Sequence, residues 1–397
     1  MEQNYDIDAL DALVRRIFRV EDVTLGTPQQ GFIVRYRGKL IGEDSEAAYD
    51  SLFEQLKPKN LTPLFRWDGH QQAILIVPGI PKPTPSNPIW NLVLFILTIF
   101  SVLFVGASFS PNGLPADPIQ AIITIFNNGW PFALSLLSIL AAHEFGHYLA
   151  GRYHGVHVTL PYFIPFPFST IGTMGAFINM KELPRNRKIL LDIGVAGPLA
   201  GMVIAIPVLL YGLSISNVGP LPSVLSNPPS IQLEGNSIAY LLAKLAVFGQ
   251  LLPSPATYAG ISPVVYWLRF FFTGFPKPLG GLDVNISPVA WAGWIGLLVT
   301  SLNLIPAGQL DGGHLMYVLI GRKAAARTFP FVLGALVVLG VVWNGWWIWA
   351  ALVFFLGRRY AEPLDQITPL DTPRKLLAIL ALLVFLFTFS PVPLSVF

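Results

Sequence analysis

Apolar and polar positions divide the chain into two parts with different patterns. In residues 1–82 charged and apolar positions are interleaved, whereas from Ile89 almost to the end long apolar runs alternate with short polar loops. Apolar runs of about 20 residues are long enough to cross a bilayer as helices. We therefore predict membrane-spanning segments near 89–107, 130–150, 189–213, 288–320, 328–343, 345–357 and 376–394. Two further helices are predicted near 238–252 and 257–274.

Residues 1–82 are predicted to form a small soluble α/β domain. They contain 10 of the 25 Lys and Arg residues and 12 of the 22 Asp and Glu residues. Their pattern predicts, in the order α-β-α-β-β, a helix at Asp8–Val20, a strand at 31–40, a helix at Glu43–Leu56 and strands at 62–69 and 71–79. Repeated prolines keep a chain extended, so we predict a stiff linker at 83–88 and a transmembrane domain at 89–397.

The composition agrees with a polytopic α-helical membrane protein. The chain is 53% hydrophobic and 12% charged, whereas ordinary globular chains carry about 25% charged residues. A net charge of +3 without a long basic block argues against a nucleic-acid partner, so the lipid bilayer is the expected environment. Since the chain has no cysteine, disulfides and cysteine-ligated metals are excluded.

The distribution of basic residues predicts an orientation in the membrane. Lys and Arg cluster in the loops at 181–188, 322–327 and 358–375, whereas segments 108–129 and 214–237 contain none. Cytoplasmic loops of membrane proteins are enriched in Lys and Arg. We therefore predict that the basic loops, the N-terminal domain and the nearby polar motif at 143–147 lie toward the cytoplasmic side.

That motif, HEFGH at 143–147, places three ionisable side chains within an apolar segment. His143 and His147 are four residues apart and therefore lie on one face of a helix, with Glu144 beside them. Neutral imidazoles suit zinc, and a neighbouring glutamate can serve as a general base. The alternative is a chance string whose polar groups are taken up by helix packing. Ionisable groups inside a membrane are costly unless paired, which favours the metal interpretation.

A catalytic zinc usually needs a third protein ligand, and the sequence offers two candidates. His154 follows His147 by seven residues, which places it roughly 10 Å further along a helix. Asp311 lies in a Pro- and Gly-containing stretch at 303–314, which breaks the over-long segment 288–320 in its middle. Irregular backbone at membrane depth is tolerated only where it faces protein or a watery cavity, so Asp311 is favoured. The alternative is a helix kink with a solvated aspartate at the membrane surface.

Together the motifs resemble those of the site-2 protease family of intramembrane zinc metalloproteases. HEFGH is followed downstream by a pattern with Asn303, Pro306, Leu310, Asp311, Gly312 and Gly313. Between them, GTMGAFINM contains Gly175 and Asn179, and DIGVAGPLAG at 192–201 is similar to the family's next core helix. The resemblance covers about 130–320. The N-terminal domain resembles the branch found in plastids, cyanobacteria and other bacteria.

The resemblance implies a site-2-protease-like transmembrane core with one Zn²⁺ per chain. His143, His147 and Asp311 would be the ligands and Glu144 the catalytic base, while Asn179, Asn303 and Gly175 would contact the substrate or the oxyanion. It also implies cleavage within or near the membrane span of single-pass proteins, and a re-entrant hairpin at 158–180. Two alternatives are a catalytically silent scaffold or transporter, and another zinc hydrolase that resembles prenyl-protein proteases.

Overall fold

The computed structural model of the chain describes residues 5–27, 29–83, 85–110, 113–224, 232–258, 260–357 and 360–396. Of the predicted soluble domain and linker, residues 1–4, 28 and 84 therefore lie outside the described residues. The N-terminal elements are α1 (Ile7–Val14), β1 (Phe18–Leu25), β2 (Val34–Leu40), α2 (Ser45–Leu56), β3 (Leu61–Asp68) and β4 (Gln71–Pro78). The strands form one antiparallel sheet in the order β1-β2-β4-β3.

The first predicted helix, Asp8–Val20, is wrong in its second half. The helix begins after the Asp6 cap and ends at Val14, and Phe18–Leu25 forms a strand that the prediction missed. This strand pairs with Val34–Leu40 in a register that places Phe18 opposite Leu40. Its alternation of polar and apolar residues suits a half-buried strand, and the interstrand hydrogen bonds outweigh a weak local helix preference.

Four helices in the described residues are long and apolar enough to cross a membrane: α3 (Pro88–Ala107), α4 (Pro118–Tyr153), α5 (Arg187–Ser214) and α9 (Asp311–Gly340). The shorter helices are α6 (Ile238–Phe248), α7 (Pro263–Thr273), α8 (Pro288–Asn303), α10 (Gly345–Leu356) and α11 (Thr372–Thr388). The segment predicted at 130–150 belongs to a longer helix of 36 residues, α4. The protein is therefore an integral membrane protein with a helical core.

The long predicted segment 288–320 is broken, as expected, between Asn303 and Asp311. However, no loop separates the predicted segments 288–320 and 328–343, because α9 (Asp311–Gly340) includes the end of the first segment and most of the second. Instead, α9 bends at Gly321, whose φ of 78° is accessible to glycine and strained for other residues. A kink rather than a loop therefore joins the two halves.

The loop predicted as a re-entrant hairpin forms two antiparallel strands, β5 (Tyr162–Phe166) and β6 (Gly172–Phe177). Two further strand pairs lie away from the N-terminal domain. After the end of α5, β7 (Asn217–Pro220) pairs with β9 (Leu282–Asn285). After the end of α11, β10 (Leu394–Val396) pairs with β8 (Gln232–Glu234). The membrane core thus carries small two-stranded sheets at its loops.

The N-terminal domain is fastened to the helical core through residues 360–368, which we call the strap. Phe65 of β3 exchanges backbone hydrogen bonds with the strap, donating to Leu364 and accepting from Gln366, both at 3.0 Å. The strap in turn donates from Leu364 to Pro184 and from Asp365 to Arg185, in the loop before α5. The strap therefore links the edge of the soluble sheet to the helical core.

Ion pairs close the same junction. Lys188 lies 2.7 Å from Glu46, and Arg185 lies 2.9 Å from Asp50. Both pairs join α2 to the segment at the start of α5. These groups are partly exposed, so we assign them to orientation more than to stability.

A buried polar cluster lies beside β8 and β9, on the face of the core opposite the N-terminal domain. The Tyr240 hydroxyl donates to Glu234 at 2.6 Å, and the Lys244 ammonium lies 3.5 Å from Asp283. Lys244 also lies 4.4 Å from the centre of the Tyr240 ring. Burial, and then the charge of Asp283, raise the pKa of Glu234 above its usual value. The folded protein therefore favours the neutral form of this carboxyl group.

We predict that Glu234 makes the protein less stable as the pH rises above about 4.3, the ordinary glutamate pKa. The unfolded chain loses this proton first, so the free energy of unfolding falls as the pH rises toward the higher folded pKa. Replacing Glu234 with Gln removes this dependence and preserves an acceptor for Tyr240. Apparent unfolding midpoints measured from pH 4 to 8 should therefore fall more steeply for the wild type than for Glu234→Gln. Parallel curves would contradict this, and the exposed Glu43→Gln serves as control.

Candidate metal centre

Two separate helices bring the three predicted ligand residues together. His143 and His147 project from α4, and Asp311 is the first residue of α9, after the broken stretch that follows α8. A series of tight turns directs Asp311 inward, with Ala307 donating to Ile305 and Leu310 donating to Ala307. The break in the helix thus aims a carboxylate at the histidine pair.

The three ligand atoms form a nearly equilateral triangle. The Nε2 atoms of His143 and His147 are 3.2 Å apart, and Asp311 Oδ2 lies 3.4 Å from the first and 3.3 Å from the second. Atoms bound at ~2.0–2.1 Å to a tetrahedral zinc lie roughly 3.3–3.4 Å from one another. The spacing of the triangle therefore fits that of three protein ligands of a tetrahedral zinc ion.

Hydrogen bonding indicates that both imidazoles present a lone pair to this triangle. His147 Nδ1 lies 2.7 Å from the carbonyl oxygen of Ile193, which can only accept, so Nδ1 carries the proton. Nδ2 of Asn303 can only donate, so Nε2 of His143, 3.1 Å away, is the nitrogen without a proton, and its single lone pair can engage either Asn303 or a metal ion. Two imidazole lone pairs and a carboxylate then face one another, and a cation stabilises that arrangement. The donor set of two nitrogens and one oxygen suits Zn²⁺.

Gly197 on α5 makes room for the His147 ring. A Cβ added to Gly197 would lie 2.1 Å from His147 Nε2, far inside van der Waals contact. This role was not identified from the sequence, where 192–201 was noted only for its similarity to the family's next core helix. The hydrogen bond from His147 to Ile193 comes from the same helix, so α5 both orients the ring and leaves space for it.

Glu144 lies beside the triangle in a cavity of about 650 Å³. The carboxylate is buried, with 4% of the residue exposed, although the residue lines this cavity. The cavity extends from the triangle past β6 to Glu182 and to Glu362 of the strap. It thus connects the candidate metal centre with the junction to the N-terminal domain.

The other predicted site residues occupy different places. Asn303 and Asn179 both line the cavity, and Asn303 contacts His143. Gly175 lies on β6 with a φ of 97°, outside the residues that line the cavity. His314 is buried and lines the cavity, and its Nδ1 has no hydrogen-bond partner among the described residues.

The alternative third ligand, His154, is engaged elsewhere. Its Nε2 lies 2.9 Å from Asp192, which also binds Arg374 through paired hydrogen bonds of 2.7 and 2.9 Å. Of the two candidates, the structure places Asp311 at the histidine pair.

We predict that Gly197→Ala weakens metal binding by about tenfold or more, because the added methyl group displaces the His147 ring. Zinc content after purification and competition with a chelator measure this effect. Gly334→Ala is the matched control, since a Cβ there meets no atom within 4 Å. Equal zinc affinity in the two variants would contradict the assigned role of Gly197.

Plant proteins are similar to most of this chain. Over 376 residues it is 27% identical to "Probable zinc metalloprotease EGY2, chloroplastic" of Oryza sativa subsp. indica, covering 90% of this chain and 61% of that protein. Over 364 residues it is 29% identical to "Probable zinc metalloprotease EGY1, chloroplastic" of Arabidopsis thaliana, covering 86% of this chain and 60% of that protein. The chain thus spans about three fifths of the length of these relatives.

The model described as "Peptidase family M50" matches residues 131–342. The matched region is more than half of the 397-residue chain and includes both motifs that form the triangle. The chain therefore belongs to peptidase family M50, the site-2 protease family.

Proposed function

We propose that the protein is an intramembrane zinc metalloprotease that cleaves peptide bonds in or near the membrane spans of single-pass proteins. The observation that carries this proposal is the His143–His147–Asp311 triangle with Glu144 beside it, inside a helical membrane core. One such triangle was found among the described residues, which supports one zinc per chain. The names of the plant relatives agree with this chemistry.

The proposed reaction needs few groups. His143, His147 and Asp311 would hold a zinc ion, which would supply Lewis acidity to a peptide carbonyl and would make water acidic enough to lose a proton near neutral pH. Glu144 accepts that proton on its carboxylate and returns it to the amine nitrogen that leaves when the peptide bond breaks. The buried position of Glu144 shields this transfer from bulk water.

Asn303 and Asn179 are the proposed donors to the developing oxyanion. Both line the cavity, and the Asn303 amide already lies at the triangle. A fixed amide donor in a site of low dielectric stabilises negative charge more strongly than it would in water. Gly175 would act indirectly, by shaping β6.

The hairpin supports a route for the substrate. A transmembrane helix hides its peptide bonds in its own hydrogen bonds, so a substrate must become extended before cleavage. Residues 176–180, at the end of β6 and just after it, line the cavity that holds Glu144. An extended segment added to this strand edge would reach the triangle.

We also propose an orientation of the protein in the membrane. The N-terminal domain, the loop with Arg185 and Lys188, and the end of the cavity that Glu362 lines are on the same face. Because basic loops favour the cytoplasmic side, we propose that this face is cytoplasmic.

We predict that Glu144→Gln retains zinc and loses cleavage by about 10²–10⁴-fold, because the amide cannot accept the proton. Comparative membrane proteomics of cells carrying the wild type or Glu144→Gln should show single-pass proteins that accumulate uncleaved in the variant. The exposed Glu54→Gln is the matched control. Full cleavage by the Gln variant would exclude the proposed protease mechanism and favour a silent scaffold or transporter.

We predict that Asp311→Ala loses stoichiometric zinc, since Oδ2 of Asp311 contacts both histidine nitrogens. Metal analysis of the purified variant tests this without a substrate. Zinc retained at one ion per chain would exclude Asp311 as a ligand and favour a zinc hydrolase with a different third ligand.

A further inference from the structure

A second cavity, of about 530 Å³, lies between the N-terminal domain and the helical core. Its lining includes five basic side chains and one acidic one: Arg35, Arg66, Arg187, Arg322, Lys323 and Asp68. The basic residues come from both sides of the junction, two from β2 and β3 and three from α5 and α9. The proposed proteolysis uses none of them.

Asp68 does not balance this charge. It lies 2.8 Å from Nε of Arg37, which lies outside the cavity lining, and 3.6 Å from Nη1 of Arg35. One carboxylate is thus shared between two guanidinium groups, so Arg35 is only partly neutralised. The Nε atom of Arg35 is also buried without a hydrogen-bond partner among the described residues.

Arg66 and Arg187 are held by neutral oxygens. Nη1 of Arg66 donates to the carbonyls of Phe65, Pro363 and Leu364 at 3.0, 2.9 and 2.7 Å. Burial lowers the pKa of Arg66, the direction expected for a cation in a poorly hydrated place. Arg187 donates to the carbonyl of Val318, and its Nε is buried without a partner in the described part of the chain. Carbonyl oxygens position these guanidinium groups, and the carboxylates that act on them from further away, Glu362 on Arg66 and Asp365 on both, form no ion pair with either arginine within 4.0 Å in the described part of the chain.

The kink in α9 adds the remaining two cations. Arg322 and Lys323 directly follow Gly321, whose φ is 78°. Lys323 has no carboxylate within 4.0 Å among the described residues. Arg322 lies 3.0 Å from Glu362 of the strap, and it lines both this cavity and the one that holds Glu144.

We propose that this cavity binds a phosphate-bearing anion that joins the N-terminal domain to the helical core. Guanidinium groups match phosphate oxygens with paired hydrogen bonds, and several converge here around a volume large enough for a small phosphorylated group. The phosphate belongs either to a lipid headgroup or to a soluble compound. Because Arg322 already pairs with Glu362, the anion competes with that carboxylate for Arg322. This site goes beyond the proposed proteolysis and does not depend on it.

The test uses the full chain in phosphatidylcholine nanodiscs and inorganic pyrophosphate as the probe, with binding measured calorimetrically. We expect binding that weakens about tenfold or more in the double variant Arg35→Gln/Lys323→Gln. The matched control is Arg19→Gln/Lys39→Gln, which removes the same charge from exposed positions of the same sheet. Zinc content and unfolding midpoints show whether each variant is folded.

A separate measurement tests whether the phosphate belongs to a lipid headgroup. Replacing part of the phosphatidylcholine with phosphatidylglycerol should then raise the unfolding midpoint of the wild type but not of Arg35→Gln/Lys323→Gln. Either response, to pyrophosphate or to phosphatidylglycerol, supports the proposal and identifies the source. Failure of both, or an equal loss in the control pair, would overturn it.

If Glu362 competes with the anion for Arg322, removing its charge should raise the affinity for the anion, whereas Arg35→Gln/Lys323→Gln lowers it. Glu362→Gln removes the carboxylate that holds Arg322, so the anion should bind more tightly than to the wild type. Glu43→Gln changes the net charge equally at an exposed position and should leave the affinity unchanged. Weaker binding by Glu362→Gln would contradict the proposed competition.

Discussion

The core depends on one constraint: ionisable side chains inside an apolar protein must face a partner. Two imidazole lone pairs and the Asp311 carboxylate meet at 3.2–3.4 Å, and a cation among them is the arrangement that lowers their mutual repulsion. The break between α8 and α9 meets this requirement, since Asp311 directly follows it and lies beside both histidines of α4. The non-helical backbone of that break is largely buried in the protein, and only such backbone is tolerated at membrane depth.

The position of the His147 ring also depends on close packing between α4 and α5. The His147 ring fits only because Gly197 offers no Cβ, and the same helix supplies the Ile193 carbonyl that orients it. The geometry of the triangle thus depends on a helix that contributes no metal ligand. Small residues are a common means of close approach between membrane helices, and here the space serves a side chain of the site.

The soluble domain is joined to this core by backbone pairing rather than by a long flexible tether. The strap 360–368 hydrogen-bonds to β3 on one side and to the loop before α5 on the other, and its Glu362 lines the cavity that holds Glu144. Arg322 faces both cavities. The strap and Arg322 therefore connect the N-terminal domain with the wall of the cavity that holds Glu144.

Apolar run length and residue type are local properties that can be read from the sequence. They were enough to predict the ligand candidates, the broken segment, the hairpin and most helices. The HEFGH spacing places two histidines on one helical face whatever surrounds them, and an aspartate in a membrane segment stands out by its cost. Strand β1 was missed because its pairing with β2 outweighs a local pattern that resembles a helix. The approach of Asp311 to both histidines, the pairing of His154 with Asp192, the place of Gly197 and the basic cavity were decided by tertiary structure, since each joins residues from helices or domains far apart in the chain.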